Sequence, residues 1–205
     1  MVLIELKKME LLEEREVKMI YIINGPSGTG KTLVGEYLKT KGIRELISHT
    51  TRKPRTGEVD GIAYHFVSEE VFSKTDKVEE SVYAGNHYGV SKGEVIEKIH
   101  GGDVFAVTDI NGTKAFKKTF GDGVRVIYVG SSPRFLRKRM IQRGDSKESI
   151  RRRIATYRNS KEMKNTKHAD FIVENNSSIR KLHWEIDLIL RRKGKLQKRR
   201  HPSKL

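Results

Sequence analysis

The sequence predicts an α/β fold in which a parallel sheet is flanked by helices, and three observations carry this prediction. Short apolar runs rich in β-branched residues alternate with helical patterns along the chain, as expected for β-α units. Gly, Ser or Asn residues follow the runs and mark where the chain turns. The 205 residues are enough for one domain of this kind with small insertions.

The first predicted strand is the apolar run 19–24, and a helix is predicted over 31–40, ending before Gly42. Residues 45–90 then break the β-α rhythm with a stretch that is rich in turn residues. We interpret this stretch as an insertion at the edge of the sheet, and insertions of this kind often bind ligands. A helix over 93–100 follows it.

The helix over 93–100 has a start signal, because Ser91 and Glu94 have the spacing of a capping box. Strands are predicted over 104–109 and 124–130, which are apolar and β-branched. Pro133 suits the first turn of the next helix.

A long basic helix is predicted from Ser146 through residue 163. The last strand is predicted over 171–174 and the last helix over 179–192. Apolar residues recur at helical spacing in this last helix, so we expect that stripe to face the core.

Composition limits the class of protein. Apolar residues make up 36% of the chain, and the run 19–23 is far shorter than the ~20 residues of a membrane span. The first sixteen residues include acids and no cleavage site for a signal peptide, so we expect a cytoplasmic protein. The absence of cysteine excludes disulfides and thiolate metal sites. The net charge of +16 predicts anionic partners, for which nucleotides, nucleic acids and acidic membranes all qualify.

A phosphate-binding loop lies directly between the first strand and its helix. The motif consists of Gly25, Pro26, Ser27, Gly28, Thr29, Gly30, Lys31 and Thr32. Its main-chain N–H groups and the following helix N-terminus favour phosphates, Lys31 adds a mobile positive charge, and Thr32 offers a hydroxyl to Mg²⁺. The motif predicts an ATP-type triphosphate site on a P-loop NTPase-type sheet, and alone it fits a kinase, a GTPase, an ATPase or a motor.

The insertion separates these possibilities. Residues 48–61 (SHTTRKPRTGEVDG), then 64–66 (YHF) and 85–89 (GNHYG), resemble the monophosphate-binding segments of guanylate kinases. The resemblance spans residues 18–190 and implies transfer of phosphate from ATP to GMP or dGMP, giving GDP or dGDP and ADP. It also implies a monophosphate-binding insertion and a helical lid on the P-loop sheet.

The resemblance implies four donors to the acceptor phosphate, namely Arg52, Arg55, Tyr64 and Tyr88. The two guanidinium groups are planar, permanently charged forks that suit phosphate. Without the family motif, the same two arginines would be interpreted as a solvated basic turn.

For the guanine base, the resemblance implies Ser48, Glu79 and Asp109, which can accept from N1–H and the 2-amino group. Glu80 adjoins Glu79 and is the alternative acid, and Asp109 also fits a magnesium-organising role. The chain departs from the family pattern at two places. Val90 stands where a Ser or Thr is usual, and Val107 stands where a second acid is usual.

The segment 136–158 resembles the family's lid and places Arg139, Arg143 and Arg153 at its arginine positions. With Lys31 and Arg52, these three form the predicted catalytic set, since phosphoryl transfer depends mainly on positioning and positive charge. Asn175 lies where the family has an Asn beside the ATP adenine, and an Asn-rich turn is the alternative.

The resulting layout has an N-terminal extension (1–17), a kinase-like domain (18–190) and a basic tail (191–205). Within the domain, the core comprises 18–46, 100–135 and 159–190, the insertion 47–99 and the lid 136–158. Three other readings stay open: a kinase for another phosphorylated acceptor, a non-catalytic kinase-like binding module, and nucleic-acid binding through the tail.

Overall fold

The structure is a computed structural model that describes residues 18–83, 85–142, 144–159 and 166–192. Its strands are β1 (Ile20–Asn24), β2 (Arg44–Glu45), β3 (His49–Thr50), β4 (His65–Phe66), β5 (Lys77–Tyr83), β6 (Asn86–Ser91), β7 (Val104–Val107), β8 (Val124–Gly130) and β9 (Phe171–Glu174). Its helices are α1 (Lys31–Thr40), α2 (Glu69–Lys74), α3 (Lys92–Ile99), α4 (Ile110–Phe120), α5 (Pro133–Gln142), α6 (Lys147–Asn159) and α7 (Ile179–Arg191). The predicted extension 1–17, most of the tail, Arg143 and the end of the basic helix lie outside these ranges.

The main sheet has five parallel strands in the order β2-β7-β1-β8-β9. The central strand β1 pairs with β7 on one side, where Ile20 lies opposite Val104, and with β8 on the other, where Ile20 lies opposite Val124. The chain therefore reverses its direction of travel across the sheet next to β1. In open α/β sheets, ligands bind beyond the carboxyl ends of the strands at such a switch point.

Two apolar layers cover the faces of this sheet, because successive strand residues point to opposite sides. Tyr21 and Ile23 of β1 pack into one layer with residues of α1 and α7, including Leu38 and Ile186. The alternate residues Ile20 and Ile22 belong to the other layer, with residues of α3, α4 and the second sheet, including Val95, Phe116 and Val90. The predicted α/β class with helices on both faces is thus confirmed.

A second, four-stranded sheet in the order β4-β3-β6-β5 is formed by the segment between β2 and α3. It is antiparallel at the β3–β6 and β5–β6 pairs and parallel at β3–β4. Val78 and Val90 join it to the core layer. β2, which leads into this sheet, pairs with β7 at only two positions, Arg44 with Val104 and Glu45 with Phe105.

Two local predictions need correction. The strand predicted over 104–109 ends at Val107, because Asp109 instead caps the N-terminus of α4 by accepting from the Gly112 N–H at 2.9 Å. The capping box is only half formed. Ser91 accepts from the Glu94 N–H, whereas the Glu94 carboxylate accepts from the Ile47 N–H at 2.7 Å and pairs with Lys98 at 2.6 Å.

Within the described residues, no helix combines the length and the apolar character needed to cross a membrane.

Candidate active site

The phosphate-binding loop connects the carboxyl end of β1 to α1, as predicted. Two of its glycines are required by close contacts and by positive φ angles. At Gly25 (φ 140°), a Cβ atom would lie 2.2 Å from the Val129 carbonyl oxygen of the neighbouring strand. At Gly30 (φ 107°), a Cβ atom would lie 2.3 Å from the Asn175 Nδ2. A side chain at Gly25 would displace the loop from the neighbouring strand, and one at Gly30 would displace the Asn175 side chain from the loop.

Lys31 begins α1 and folds back over the loop. Its Nζ donates to the Gly25 carbonyl at 2.6 Å and to the Pro26 carbonyl at 3.0 Å. Thr32 follows it in the first helical turn and is exposed. The ammonium group and this hydroxyl therefore lie at a helix N-terminus, where main-chain N–H groups favour anions.

Asn175 and Arg139 hold the loop from the side of β9 and α5. The buried Asn175 donates through Nδ2 to the Thr29 carbonyl at 2.9 Å. Arg139 donates to the same carbonyl at 3.4 Å and to the Asn175 carbonyl. Burial lowers the pKa of Arg139. The structure thus brings both predicted residues to the loop, and the contact of Asn175 with adenine stays a prediction.

Helices α5 and α6 form the predicted lid segment and pack through Leu136, Met140, Ile150 and Tyr157. Tyr157, which sequence reasoning did not single out, donates from its hydroxyl to the Ser131 carbonyl at 2.5 Å and ties α6 to the end of β8.

Arg153 lines a cavity of about 270 Å³ together with Ser27 and Gly28 of the loop, and lies 3.9 Å from an Asp145 carboxylate oxygen. Arg153 is therefore near the loop, whereas Arg143 lies outside the described residues.

A second cationic cluster lies on the second sheet. The guanidinium of Arg52 lies 5.2 Å from the centre of the Tyr64 ring, and this ring is 5.8 Å from the Tyr88 ring. Arg52 pairs with Glu58 through both terminal nitrogens, each at 2.9 Å. Hydrogen bonding to Glu58 raises the pKa of Arg52, and a hydrogen bond with Tyr88 adds to the rise. Three of the four predicted phosphate donors are thus together.

Arg55, the fourth predicted donor, is exposed on the turn after Arg52, and its backbone N–H donates to Glu58 at 2.8 Å. Ser48 precedes β3 and lines a cavity of about 430 Å³ with Tyr64, Ala106 and Val107. Its backbone carbonyl accepts from the His65 N–H at 2.9 Å, which fixes β4 beside it.

Glu79 lies against the N-terminus of α4, which Asp109 caps. A Cβ atom at Gly112 would lie 3.2 Å from a Glu79 carboxylate oxygen, so this glycine permits the approach. Burial raises the pKa of Glu79 to about 7, the charges of Asp109 and Glu80 contribute, and a hydrogen bond with the Val90 backbone opposes the rise. Glu80 is exposed and lies 3.5 Å from Lys77. Of the two neighbouring acids, Glu79 is therefore the one beside Asp109.

The two departures from the family pattern lie in different surroundings. Val90 is 1% exposed and packs in the core layer with Leu46 and Val95, so its side chain stabilises the join between the sheets. Val107 ends β7 and is 42% exposed beside Ser48 and Tyr64 in their shared cavity. Only Val107 of the two thus lines a space open to a ligand.

A buried hydrogen bond connects the loop strand to α4. Asn24, the last residue of β1, donates through Nδ2 to the Thr113 hydroxyl at 2.8 Å, and this hydroxyl donates to the Asp109 carbonyl at 2.7 Å. Sequence reasoning missed both residues. The one available signal was a polar residue, Asn24, at the end of an otherwise apolar run, and nothing in the sequence around Thr113 marks it as buried.

We expect Thr113→Val to lower the free energy of unfolding by ~1–3 kcal/mol, because the buried Asn24 amide loses its acceptor. Urea titration monitored by circular dichroism measures the difference. Thr113→Ser keeps the hydroxyl, and Thr119→Val makes the same exchange at an exposed position of α4. An effect no larger than that of Thr119→Val would contradict the role of this bond.

The parallel sheet, the loop after β1 and the arginine–tyrosine cluster on a second sheet together define a P-loop nucleoside monophosphate kinase. Comparison with known proteins gives the family, because a family model described as guanylate kinase matches residues 17–192. The chain belongs to the guanylate kinase family.

Individual relatives agree with this assignment. The guanylate kinase of Prochlorococcus marinus is 36% identical over 169 residues, which cover 78% of this chain and 91% of that protein. The guanylate kinase of Halalkalibacterium halodurans is 34% identical over 170 residues, covering 79% and 82%. The crystal structure of guanylate kinase from Anaplasma phagocytophilum matches with a TM-score of 0.64 and 25% identity, covering 88% of this chain and 89% of the other.

Proposed function

We propose that this protein transfers the terminal phosphate of ATP to the phosphate of GMP or dGMP, giving ADP and GDP or dGDP. Membership of the guanylate kinase family supports this reaction, as do the names of its relatives. One structural observation carries the proposal for this chain. The buried Asn24–Thr113 hydrogen bond and the approach of Glu79 to Gly112 join the strand before the loop to β5, and β5 pairs with β6, the strand that carries Tyr88.

On the donor side, the loop residues Gly25 to Thr32 bind the ATP phosphates, and Asn175 lies beside the nucleotide. Lys31 leaves the Gly25 and Pro26 carbonyls and moves its charge onto the phosphates, a rearrangement that a flexible four-carbon side chain allows. The N-terminus of α1 adds its positive end to the same site.

Magnesium is the expected metal, and the residues present fit it. In proteins, Mg²⁺ keeps several waters and takes few protein ligands beside nucleotide phosphates. Thr32 offers one hydroxyl, and no group of three or more His, Cys, Asp or Glu residues in the described ranges could form a larger cage. Thr32 would hold the ion, which neutralises charge on the transferring phosphate when bound.

On the acceptor side, Arg52, Arg55, Tyr64 and Tyr88 donate to the phosphate of GMP. Ser48, Glu79 and Asp109 accept from the guanine N1–H and 2-amino groups. Adenine has no such donor pair, so a buried carboxylate facing it would be left unpaired at a cost of ~1–3 kcal/mol or more. This difference favours GMP over AMP.

The lid arginines Arg139, Arg143 and Arg153 stabilise the charge that spreads over the equatorial oxygens during transfer. The closed lid also excludes water, which would otherwise compete as acceptor. No protein base is required, because the acceptor phosphate has a second pKa near ~6 and is largely ionised at neutral pH. We assign residues 47–99 to the acceptor-binding insertion, 136–158 to the lid and the rest of 18–190 to the core. The cysteine-free sequence is consistent with a cytoplasmic enzyme.

A coupled assay of ADP formation with ATP, Mg²⁺ and a panel of monophosphates tests this function. GMP should be the best acceptor, dGMP the next, and AMP, UMP and CMP should react at least ~100-fold more slowly in kcat/KM, as expected when a buried carboxylate discriminates. A better acceptor outside the guanine nucleotides would replace the proposed substrate, and absence of transfer together with retained GMP binding would indicate a binding module.

The raised pKa of Glu79 predicts pH-dependent acceptor binding. Guanine donors favour the ionised carboxylate, so a group with a pKa of about 7 must lose a proton on binding at lower pH. We expect GMP affinity to fall by up to ~10-fold per pH unit below about 7 and to level off above about 8. Because GMP's own phosphate also titrates, calorimetry should compare wild type with Glu79→Gln at each pH. Equal pH slopes in both proteins would contradict the prediction.

The raised pKa of Glu79 also makes the stability of the folded protein depend on pH. A carboxyl whose pKa is raised binds more protons in the folded state, so its contribution is complete below the usual carboxyl range and is lost as pH rises through about 7. Bound GMP, by supplying donors to the ionised form, offsets this loss.

A further inference from the structure

Glu58 contacts both arginines of the acceptor-phosphate cluster, although it touches no substrate in the proposed reaction. Its two carboxylate oxygens accept from Nη1 and Nη2 of Arg52, each at 2.9 Å. One of these oxygens also accepts from the Arg55 backbone N–H at 2.8 Å, and the Glu58 N–H donates back to the Arg55 carbonyl at 3.0 Å. A single carboxylate therefore closes the turn that carries both cations.

The hydrogen bonds of Arg52 show which of its N–H groups are already in use. A guanidinium group has five N–H donors. Nη1 uses both of its hydrogens, on Glu58 and on the Lys53 carbonyl at 2.8 Å, and Nη2 uses one on Glu58. These bonds leave Nε–H and the second Nη2–H, which form the other edge of the fork. Tyr88 accepts from one hydrogen of this edge, so an anion bound there would take the other N–H together with the Tyr88 hydroxyl.

Ring contacts hold the plane of this guanidinium. Arg52 lies 5.2 Å from the Tyr64 ring centre and 5.7 Å from that of Phe66, and Tyr88 contributes a hydrogen bond. The Arg52 side chain is only 12% exposed and that of Glu58 22%. Hydrogen bonding to Arg52 lowers the pKa of Glu58, so its carboxylate is charged at neutral pH.

We propose that Glu58 is a positioning residue, which grips one edge of Arg52 and fixes the Arg55 turn so that the remaining edge of Arg52 is presented to the acceptor phosphate. This inference rests on the proposed function. Two opposing effects decide whether Glu58 strengthens or weakens phosphate binding. The Glu58 charge repels a phosphate, but the Arg52 guanidinium lies between the two anions and reduces that repulsion. The contacts of Glu58 also order the long Arg52 side chain and the Arg55 turn before the ligand arrives, which favours binding.

The test uses Glu58→Gln, which keeps the shape but loses the charge and one acceptor oxygen. We expect KM for GMP to rise about tenfold, with kcat and KM for ATP within about twofold of wild type. Glu58→Ala, which releases both arginines, should raise KM for GMP by a further ~3–10-fold. Glu58→Asp keeps the charge and should recover part of the loss. Glu97→Gln makes the same exchange at an exposed site on α3 and should change nothing.

Calorimetry with guanosine separates positioning from a general structural role. Guanosine lacks the phosphate, so its affinity should be the same in wild type and Glu58→Gln. A variant with wild-type KM for GMP, or with tighter GMP binding, would overturn the inference, as would a parallel loss for GMP, guanosine and ATP. If the wild-type protein itself transfers no phosphate to GMP, the proposed function fails instead.

Discussion

Replacing Lys31 with Ala should lower kcat/KM by about 10³-fold or more, the range seen when a transition-state donor is removed. Lys31 Nζ lies 2.6 Å from the Gly25 carbonyl, and in the proposed reaction it moves from there onto the phosphates. Main-chain N–H groups of the loop persist in the variant. ATP should therefore still bind, and the loss should appear mainly in kcat.

The coupled assay measures this loss, and calorimetry with a non-hydrolysable ATP analogue measures the binding that remains. Lys118→Ala removes an exposed lysine from α4 and is the matched control, which should leave kcat/KM within about twofold of wild type. An unfolding midpoint close to that of wild type shows that the fold is intact. Full transfer activity in Lys31→Ala would refute the assignment of the loop as the donor site.

Replacing Arg52 with Ala should lower kcat/KM for GMP by about 10²–10³-fold, because the acceptor phosphate loses a positioned, permanently charged donor. Here the largest change should be in KM for GMP, with KM for ATP close to wild type. Arg52→Lys should recover little, since an ammonium cannot pair with Glu58 and a phosphate through two planar edges. The variant also leaves Glu58 without its partner beside the phosphate, which adds to the loss.

Steady-state kinetics with each substrate varied in turn gives the two KM values. Arg180→Ala, at an exposed position in α7, controls for the loss of one positive charge from a strongly basic protein. Should Arg180→Ala weaken GMP binding as much as Arg52→Ala, the effect would come from net charge, and Arg52 would lose its proposed role.

Four strands of the main sheet could be predicted from the sequence because strands buried on both faces form continuous apolar runs, whereas the two-residue edge strand β2 was not predicted. β8 and β9 were predicted with their observed bounds, and α1 also. α4 was not predicted, since the segment INGTKAFKKTF has a central glycine and few strong helix formers. Its stability comes from the Asp109 cap, a local signal at the residue that was predicted to end the preceding strand, and from burial of Phe116, which depends on tertiary packing.

The candidate site also contains residues that could be predicted from the sequence and residues that could not. The loop residues were predictable because their motif is contiguous, and Arg52, Tyr64 and Tyr88 because each lies in a motif of its own. Their roles as ligands stay predictions. Asn24 and Tyr157 went unnoticed as partners because they contact residues distant in sequence, and Glu58 because no periodic pattern marks a pairing across six residues of a turn. Glu79 could be named, whereas its pKa of about 7 depends on burial that no local pattern reveals.

The short pairing of β2 with β7 has a mechanical consequence. Only two residue pairs join this edge strand to the sheet, whereas β1 is held by four pairs to β7 and five to β8. The strands beside the phosphate-binding loop are thus held more firmly than β2, the edge strand that leads into the second sheet. We therefore expect the second sheet to shift more easily along this edge than the strands beside the loop can shift relative to one another.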